Sequence, residues 1–121
     1  MPRILYVDDE NDIREIATMA LELDPTLEVR ACASGQEALS VAADWAPDLA
    51  LLDVMMPGMD GPETLARLRA GGMSADVPVV FITARSQERD MERLKALGAA
   101  GVIAKPFDPM TLADQLRAFL Q

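Results

Sequence analysis

Acidic side chains stand at the ends of two apolar segments of this chain, in places where they could bind a cation together. The segment 4–8 leads into Asp8 and Asp9, and the segment 49–53 ends on Asp53. Two like charges ~4 Å apart repel by about 4 kcal/mol at an effective dielectric of ~20, so three converging acids must raise a pKa or recruit a cation. Carboxylate oxygens supplemented by water suit Mg²⁺.

Two other polar side chains follow later apolar segments. Thr83 ends the segment 79–83, and Lys105 follows the segment 101–104. Magnesium commonly lies where phosphoryl groups react, and Lys105 would add a compact positive charge for a phosphoryl oxygen there, beside the short hydroxyl of Thr83. Each of these residues is ordinary when taken alone, because acid pairs occur in turns and lysines on surfaces. The chemical interpretation therefore depends on their convergence.

The elements that must position these residues alternate along the chain. Five apolar, β-branched segments are typical of buried parallel strands, and segments with helical periodicity lie between them. The helix signals include the capping-box spacing of Ser34 and Glu37, and Pro62 soon after Asp60. The strands are predicted over 4–8, 27–32, 49–53, 79–83 and 101–104. Helices are predicted through 13–21, after Ser34, after Asp60, over 86–97 before Gly98, and from Asp108 and Pro109 onward.

This alternation predicts an α/β fold, a doubly wound, five-stranded parallel sheet between two helical layers. Ligands of such sheets bind beyond the carboxyl ends of the strands, where the strand order reverses. With the order 2-1-3-4-5, the first and third strands are neighbours at that point. We therefore expect one crevice that gathers all of the polar residues above: Asp8, Asp9 and Asp53 around it, with Thr83 and Lys105 on its rim.

Composition narrows the class of protein. The 121 residues fit one domain, 1–121, and half of them are hydrophobic, enough for a core. The net charge of −9 argues against direct binding of nucleic acid or of an anionic membrane. The chain lacks histidine, which excludes imidazole metal sites and histidine-based triads. With Cys32 as its one cysteine and no room for a signal peptide before the first strand, we expect a cytoplasmic protein.

Four motifs resemble those of the receiver domain of bacterial response regulators, and they cover nearly the whole chain. They are VDDE (7–10), LLDVMMPGMDG (51–61), FITA (81–84) and KPF (105–107). The resemblance implies a flavodoxin-like fold with the strand order given above. It also implies a phosphoacceptor switch of a two-component system or phosphorelay. Such a chain is not an enzyme beyond phosphorylating itself from a phosphodonor and dephosphorylating itself.

The resemblance assigns a role to each acid of the crevice. It implies that Asp53 accepts the phosphoryl group from a histidine kinase or a histidine phosphotransfer protein. It implies Mg²⁺ bound by Asp9, Asp53 and the backbone carbonyl of Met55, with Asp8 acting partly through water. On the rim, Thr83 and Lys105 would then bind phosphoryl oxygens.

The segment around Lys105 carries two more expectations. The resemblance implies a cis peptide between Lys105 and Pro106. Many receivers have an aromatic residue three positions before this lysine, where this chain has Val102. Since valine cannot reproduce an aromatic rotation, we predict a switch carried by Thr83 and the loop that leads into the predicted helix 86–97.

The signalling output is expected to involve another protein. The chain resembles a stand-alone receiver, although a receiver cut from a longer regulator would look identical. The family's usual output surface is formed by the fourth helix, the fifth strand and the fifth helix. Basic residues near it suit an acidic partner, and a solvated helix face explains them equally well; they are Arg85, Arg89, Arg93 and Lys95.

Two other functions use the same residue types. A small Mg²⁺-dependent aspartyl phosphatase needs a second acid two residues after the nucleophile, where this chain has Met55. A phosphorylation-independent adaptor typically lacks one or more of the five site residues, whereas this chain keeps all five. The sequence thus favours the phosphoacceptor switch over both.

Overall fold

Five strands alternate with five helices in the computed structural model, which describes residues 1–85 and 87–120. Three of the predicted strands have the observed bounds, the first strand is shifted by one residue at both ends, and the second begins one residue later than predicted. The strands are β1 (Arg3–Val7), β2 (Glu28–Cys32), β3 (Leu49–Asp53), β4 (Val79–Thr83) and β5 (Gly101–Ala104). The helices are α1 (Asn11–Glu22), α2 (Gly35–Asp44), α3 (Gly61–Ala70), α4 (Glu88–Ala96) and α5 (Leu112–Phe119).

The strands form one parallel sheet in the order β2-β1-β3-β4-β5. Every residue of β3 and of β4 is buried, because helices cover both faces of the sheet. One face packs against apolar residues of α1 and α5, and the other packs against α2, α3 and α4. The predicted doubly wound, three-layer fold with this strand order is confirmed.

Local capping signals explain where two helices begin. The Ser34 hydroxyl accepts a hydrogen bond from the Glu37 N–H at the start of α2 (3.1 Å). At the start of α3, the Asp60 carboxylate accepts one from the Glu63 N–H (2.9 Å). Both side chains therefore satisfy amide groups that have no partner inside the helix.

The starts of the last two helices differ from the predictions. The regular part of α5 begins at Leu112, because Asp108 first closes a turn. Its carboxylate accepts a hydrogen bond from the Met110 N–H, and its carbonyl accepts one from the Leu112 N–H. The predicted helix 86–97 is observed as α4, and its first predicted residue, Ser86, lies outside the described residues.

Gly61 allows α3 to begin directly against the end of β3. A Cβ atom added at Gly61 would lie 2.9 Å from the Val54 Cα atom and still closer to the Asp53 carbonyl oxygen. Real Cβ atoms do not approach backbone that closely. The glycine therefore fixes the path of the loop that follows Asp53.

The single tryptophan lies at the amino-terminal edge of the sheet. Trp45 is buried, and the guanidinium groups of Arg3 and Arg30 lie 5.4 and 5.0 Å from its ring centroid. Its indole N–H donates a hydrogen bond to the Glu28 carboxylate (3.4 Å). Arg3 and Glu28 are the first residues of β1 and β2, so this cluster marks the end of the sheet opposite the acids.

Within the described part of the chain, none of the helices combines the length and apolar character needed to cross a bilayer.

Candidate functional site

The carboxyl ends of β1 and β3 bring acids together. Val7 of β1 pairs with Leu52 of β3 in the sheet. The residues that follow them, Asp8 and Asp53, therefore lie side by side at the same edge of the sheet. Asp8 is fully buried and Asp53 is 3% exposed. Carboxylate oxygens of Asp8, Asp53 and Glu10 all lie within 4.8 Å of one another. We call these three residues the acid cluster.

The neighbouring acids Asp9 and Glu10 are placed differently from each other. Glu10 joins the acid cluster, although sequence reasoning did not select it. The signal that could have found it is the third acid of the VDDE motif. Asp9 is not among the three clustered acids, yet its Oδ1 atom is buried and has no hydrogen-bond partner among the described residues.

Lys105 supplies the positive charge of the acid cluster. Its Nζ atom lies 3.2 Å from Asp8 Oδ2, 3.3 Å from Asp53 Oδ1 and 3.8 Å from Glu10 Oε1. The Lys105 N–H donates to the Thr83 carbonyl (2.8 Å), which ties the residue after β5 to the end of β4. The peptide between Lys105 and Pro106 is cis.

One ammonium group does not neutralise the acid cluster. Burial, and then the charge of Asp8, raises the pKa of Asp53 to about 7, although Lys105 acts in the opposite direction. Burial lowers the pKa of Lys105, but the charges of Asp53 and Asp8 outweigh that effect, so the Lys105 pKa is raised. The lysine is therefore held protonated, while the site retains an affinity for further positive charge.

Hydrogen bonds hold the Asp8 carboxylate on both sides. Its Oδ1 atom accepts from the Glu10 N–H (3.0 Å), and its Oδ2 atom accepts from the Tyr6 hydroxyl (2.9 Å). Burial, followed by the charge of Asp8, raises the pKa of Tyr6 above its ordinary range, so the phenol stays a donor. Sequence reasoning also missed Tyr6.

The donor set of the site fits a magnesium ion. Asp9 Oδ1 and Asp53 Oδ2 are buried carboxylate oxygens without hydrogen-bond partners in the described chain. Unsatisfied buried oxygens are rare and call for a compensating group. Since the unsatisfied atoms are all carboxylate oxygens, a hard divalent cation is the natural partner.

The rim of the site carries the remaining predicted residues. Thr83 is buried at the end of β4, and its hydroxyl accepts a hydrogen bond from the Arg85 N–H (3.0 Å). A cleft of about 140 Å³ separates the loop after β3 from α4, and Thr83, Met55 and Arg85 are among its lining residues. The Met55 side chain is 61% exposed, and Val102 packs half-buried on the sheet face that α4 covers.

Comparison with known proteins agrees with this geometry. The model of the response regulator receiver domain matches residues 4–117, and the chain belongs to that family. It is therefore a phosphoacceptor domain of two-component signalling and not an enzyme in the usual sense, as the motifs indicated. Receiver domains bind Mg²⁺ at an acidic pocket and interact with histidine kinases and downstream effectors.

Individual relatives include full-length transcriptional regulators. The chain is 39% identical over 98% of its length to the phosphate regulon transcriptional regulatory protein PhoB of Pseudomonas aeruginosa, and 40% identical over the same share to YvrH of Bacillus subtilis. These matches cover 51% and 48% of the two relatives, so the chain spans about half the length of the curated relatives it matches. The chemotaxis protein CheY4 of Vibrio cholerae is 34% identical, with a TM-score of 0.89 and 98% of both chains covered.

Proposed function

We propose that this chain accepts a phosphoryl group on Asp53 from a histidine kinase or a histidine phosphotransfer protein. An oxygen of the Asp53 carboxylate attacks phosphorus, the bond from phosphorus to the donor's imidazole nitrogen breaks, and its electron pair stays on that nitrogen. The observation that carries this proposal is the state of the two Asp53 oxygens. Oδ1 pairs with Lys105, whereas Oδ2 is buried without a partner among the described residues.

The proposed metal ligands are Asp9, Asp53 and the backbone carbonyl of Met55, with Asp8 acting through water. Magnesium bound there neutralises the charge that develops on a transferred phosphoryl group. The unpartnered oxygens of Asp9 and Asp53 support direct coordination by these two residues. Both oxygens of Asp8 are already engaged by protein donors, which supports an indirect role for Asp8.

Thr83 and Lys105 are proposed to bind the oxygens of the transferred group. Lys105 already lies beside Asp53, at the distance of a charge-assisted hydrogen bond. The Thr83 hydroxyl accepts a hydrogen bond from the Arg85 N–H. If the hydroxyl rotated toward a phosphoryl oxygen, this hydrogen bond would break and the start of the loop into α4 would be released. We propose this release as the switch, because Val102 offers no aromatic ring that could rotate.

The proposed output surface is the face of α4, β5 and α5, with an acidic protein as its partner. Most basic side chains in the described residues contact acids, carbonyl oxygens or an aromatic ring. Those whose side chains make none of these contacts among the described residues lie on or beside α4, and they are Arg85, Arg89, Arg93 and Lys95. Their grouping in a chain of net charge −9 supports an acidic partner.

We place this function in the cytoplasm, as a reducing compartment suits a chain whose one cysteine, Cys32, is a buried free thiol.

Intact-mass analysis after incubation with Mg²⁺ and a small phosphodonor tests the proposal. We expect one added phosphoryl group that is labile in base and is absent from Asp53→Asn. Asp76→Asn, which changes an exposed acid near the opposite edge of the sheet, should be labelled like the parent chain. Turnover of a phosphomonoester would instead indicate a phosphatase, and no Mg²⁺-dependent labelling would indicate an adaptor.

Charge reversal tests the proposed output surface. We expect the double change Arg89→Glu and Arg93→Glu to weaken binding of the phosphorylated chain to its effector, with Arg67→Glu on α3 as the control. Unchanged affinity in the double variant would show that these arginines form a solvated helix face and do not bind the partner.

A further inference from the structure

Tyr6, the only tyrosine of the chain, points its hydroxyl into the acid cluster. Residues 6 and 8 lie two apart along an extended chain, so their side chains share one face of the sheet. The Tyr6 ring is fully buried among apolar residues of that face, and its hydroxyl donates to Asp8 Oδ2 at 2.9 Å. The phenol thus links the apolar core to the phosphorylation site.

The hydroxyl completes a set of protein donors around Asp8. Oδ1 accepts from the Glu10 N–H, and Oδ2 accepts from Tyr6 and faces Lys105 Nζ at 3.2 Å. Asp9 and Asp53 differ, because each has one buried oxygen without a partner in the described chain. The acids of the site are therefore divided into one that is fully engaged and two that are open to a cation.

A phenylalanine would fill the same space in the core without the polar group. Buried tyrosine hydroxyls normally find a partner, so a purely structural explanation is that Asp8 satisfies Tyr6. The alternative is that Tyr6 orients Asp8 for the site. The two explanations differ in one measurable property, the affinity of the folded chain for magnesium.

We propose that Tyr6 is a positioning residue of the magnesium site. Its hydroxyl holds the Asp8 carboxylate in one orientation, in which Asp8 acts on the ion through water while Asp9 and Asp53 coordinate directly. Without the hydroxyl, Lys105 is the one partner that Asp8 Oδ2 keeps among the described residues. Asp8 then holds the Lys105 ammonium group more firmly, and this group competes with the magnesium ion for the carboxylates. This inference rests on the magnesium site proposed above.

Removal of the hydroxyl alone is the direct test. We expect Tyr6→Phe to weaken Mg²⁺ binding about tenfold, the low end of the effect of losing an outer-shell partner. Ile4→Val is the matched control, because Ile4 is equally buried in the same strand and on the same face, and it should leave the magnesium affinity unchanged. Equal or tighter binding by Tyr6→Phe overturns the inference.

A second measurement uses the unaltered chain and does not depend on the variant folding. With tyrosine labelled by ¹³C at Cζ, the one tyrosine resonance should shift on Mg²⁺ addition and saturate with the affinity found by calorimetry. A resonance that stays in place while magnesium binds overturns this inference and leaves the metal site intact. If the parent chain binds no magnesium at all, the proposed site and this inference are both wrong.

Discussion

Lys105 and Asp53 form an ion pair of 3.3 Å between side chains that are only 11% and 4% exposed. The lysine also contacts Asp8 and Glu10, so a single ammonium group serves three carboxylates. A buried charge of this kind is favourable only while its partners remain. The pair therefore keeps Asp53, the proposed phosphoacceptor, next to the ammonium group that is proposed to bind the phosphoryl oxygens.

Asp53→Asn should stabilise the metal-free chain above neutral pH. Folding raises the pKa of Asp53 from 3.8 to about 7, so the folded state prefers the protonated acid. The stability that this preference contributes is fully present below about pH 4 and is lost as the pH rises through about 7. We expect the variant to gain about 1–3 kcal/mol in free energy of unfolding near pH 8, measured by urea titration without magnesium.

The same titration near pH 4 supplies the control for Asp53→Asn. There Asp53 is protonated in the folded chain, so the difference between the variant and the parent should shrink toward zero. A gain that is equal at both pH values would contradict a raised Asp53 pKa.

Lys105→Ala should destabilise the chain strongly at neutral pH. Three acids then lose their shared cation, and removing one partner of a buried pair costs about 3–5 kcal/mol. Because the loss of Lys105 raises the pKa of Asp53 further, protonation should relieve part of this penalty near pH 5. Urea unfolding at the two pH values measures the effect.

Lys95→Ala is the matched control for Lys105→Ala, because these are the only two lysines and Lys95 is exposed on α4. Its stability should stay within about 0.5 kcal/mol of the parent. Equal effects of the two substitutions would show that the buried ion pairs contribute nothing.

Gly61→Ala should move the loop after β3 and lower stability. The added Cβ atom would collide with the backbone of Asp53 and Val54, and neither can yield as a flexible side chain would. We expect a loss of about 1–3 kcal/mol, together with slower phosphorylation, measured by thermal unfolding and intact-mass kinetics.

Gly71→Ala offers a comparison for Gly61→Ala. Its added Cβ atom would lie 3.2 Å from the Arg67 carbonyl oxygen, a tighter contact than usual but far milder, and its φ of −81° suits alanine. If Gly71→Ala proved as damaging as Gly61→Ala, close approach to β3 would not be the reason for the glycine.

Arg117→Gln should raise the pKa of Asp24. A hydrogen bond from the Thr26 hydroxyl, and then one from Arg117, lowers that pKa to about 2. The folding stability that ionised Asp24 contributes is present above about pH 4 and is lost as the pH falls through about 2. A pH titration of the Asp24 carboxyl carbon by NMR should show the rise, and Arg67→Gln on α3 should leave the titration unchanged.

The fold was predictable because the strands of the sheet and the helices that cover it each leave a local signal in the sequence. Strands covered on both faces must be apolar along their length, and two of the helix starts carry side-chain caps, Ser34 and Asp60. The start of α5 was placed too early, because the turn closed by Asp108 and the first turn of a helix use the same residue types. The positions of Asp8 and Asp53 followed from the fold alone.

The remainder of the site depends on how the chain turns after each strand. Asp9 and Glu10 are adjacent acids, and only the path from β1 into α1 decides which of them joins Asp8 and Asp53. The spacing of Tyr6 and Asp8 indicates a shared face but not a hydrogen bond. Likewise, the sequence placed Lys105 on the rim, whereas its contact with three acids arises from the packing of β5 beside β4.

The arginine-flanked Trp45 limits what intrinsic fluorescence can report. It contacts the first residues of β1 and β2 and, through its ring, Arg30 of the edge strand β2. A five-residue strand spans about 16 Å, so the indole is remote from Asp53 at the far end of β3. Emission should follow the melting of the sheet's amino-terminal rim and stay nearly silent when a cation or a phosphoryl group arrives. Optical assays of signalling in this chain therefore need a fluorophore introduced beside α4.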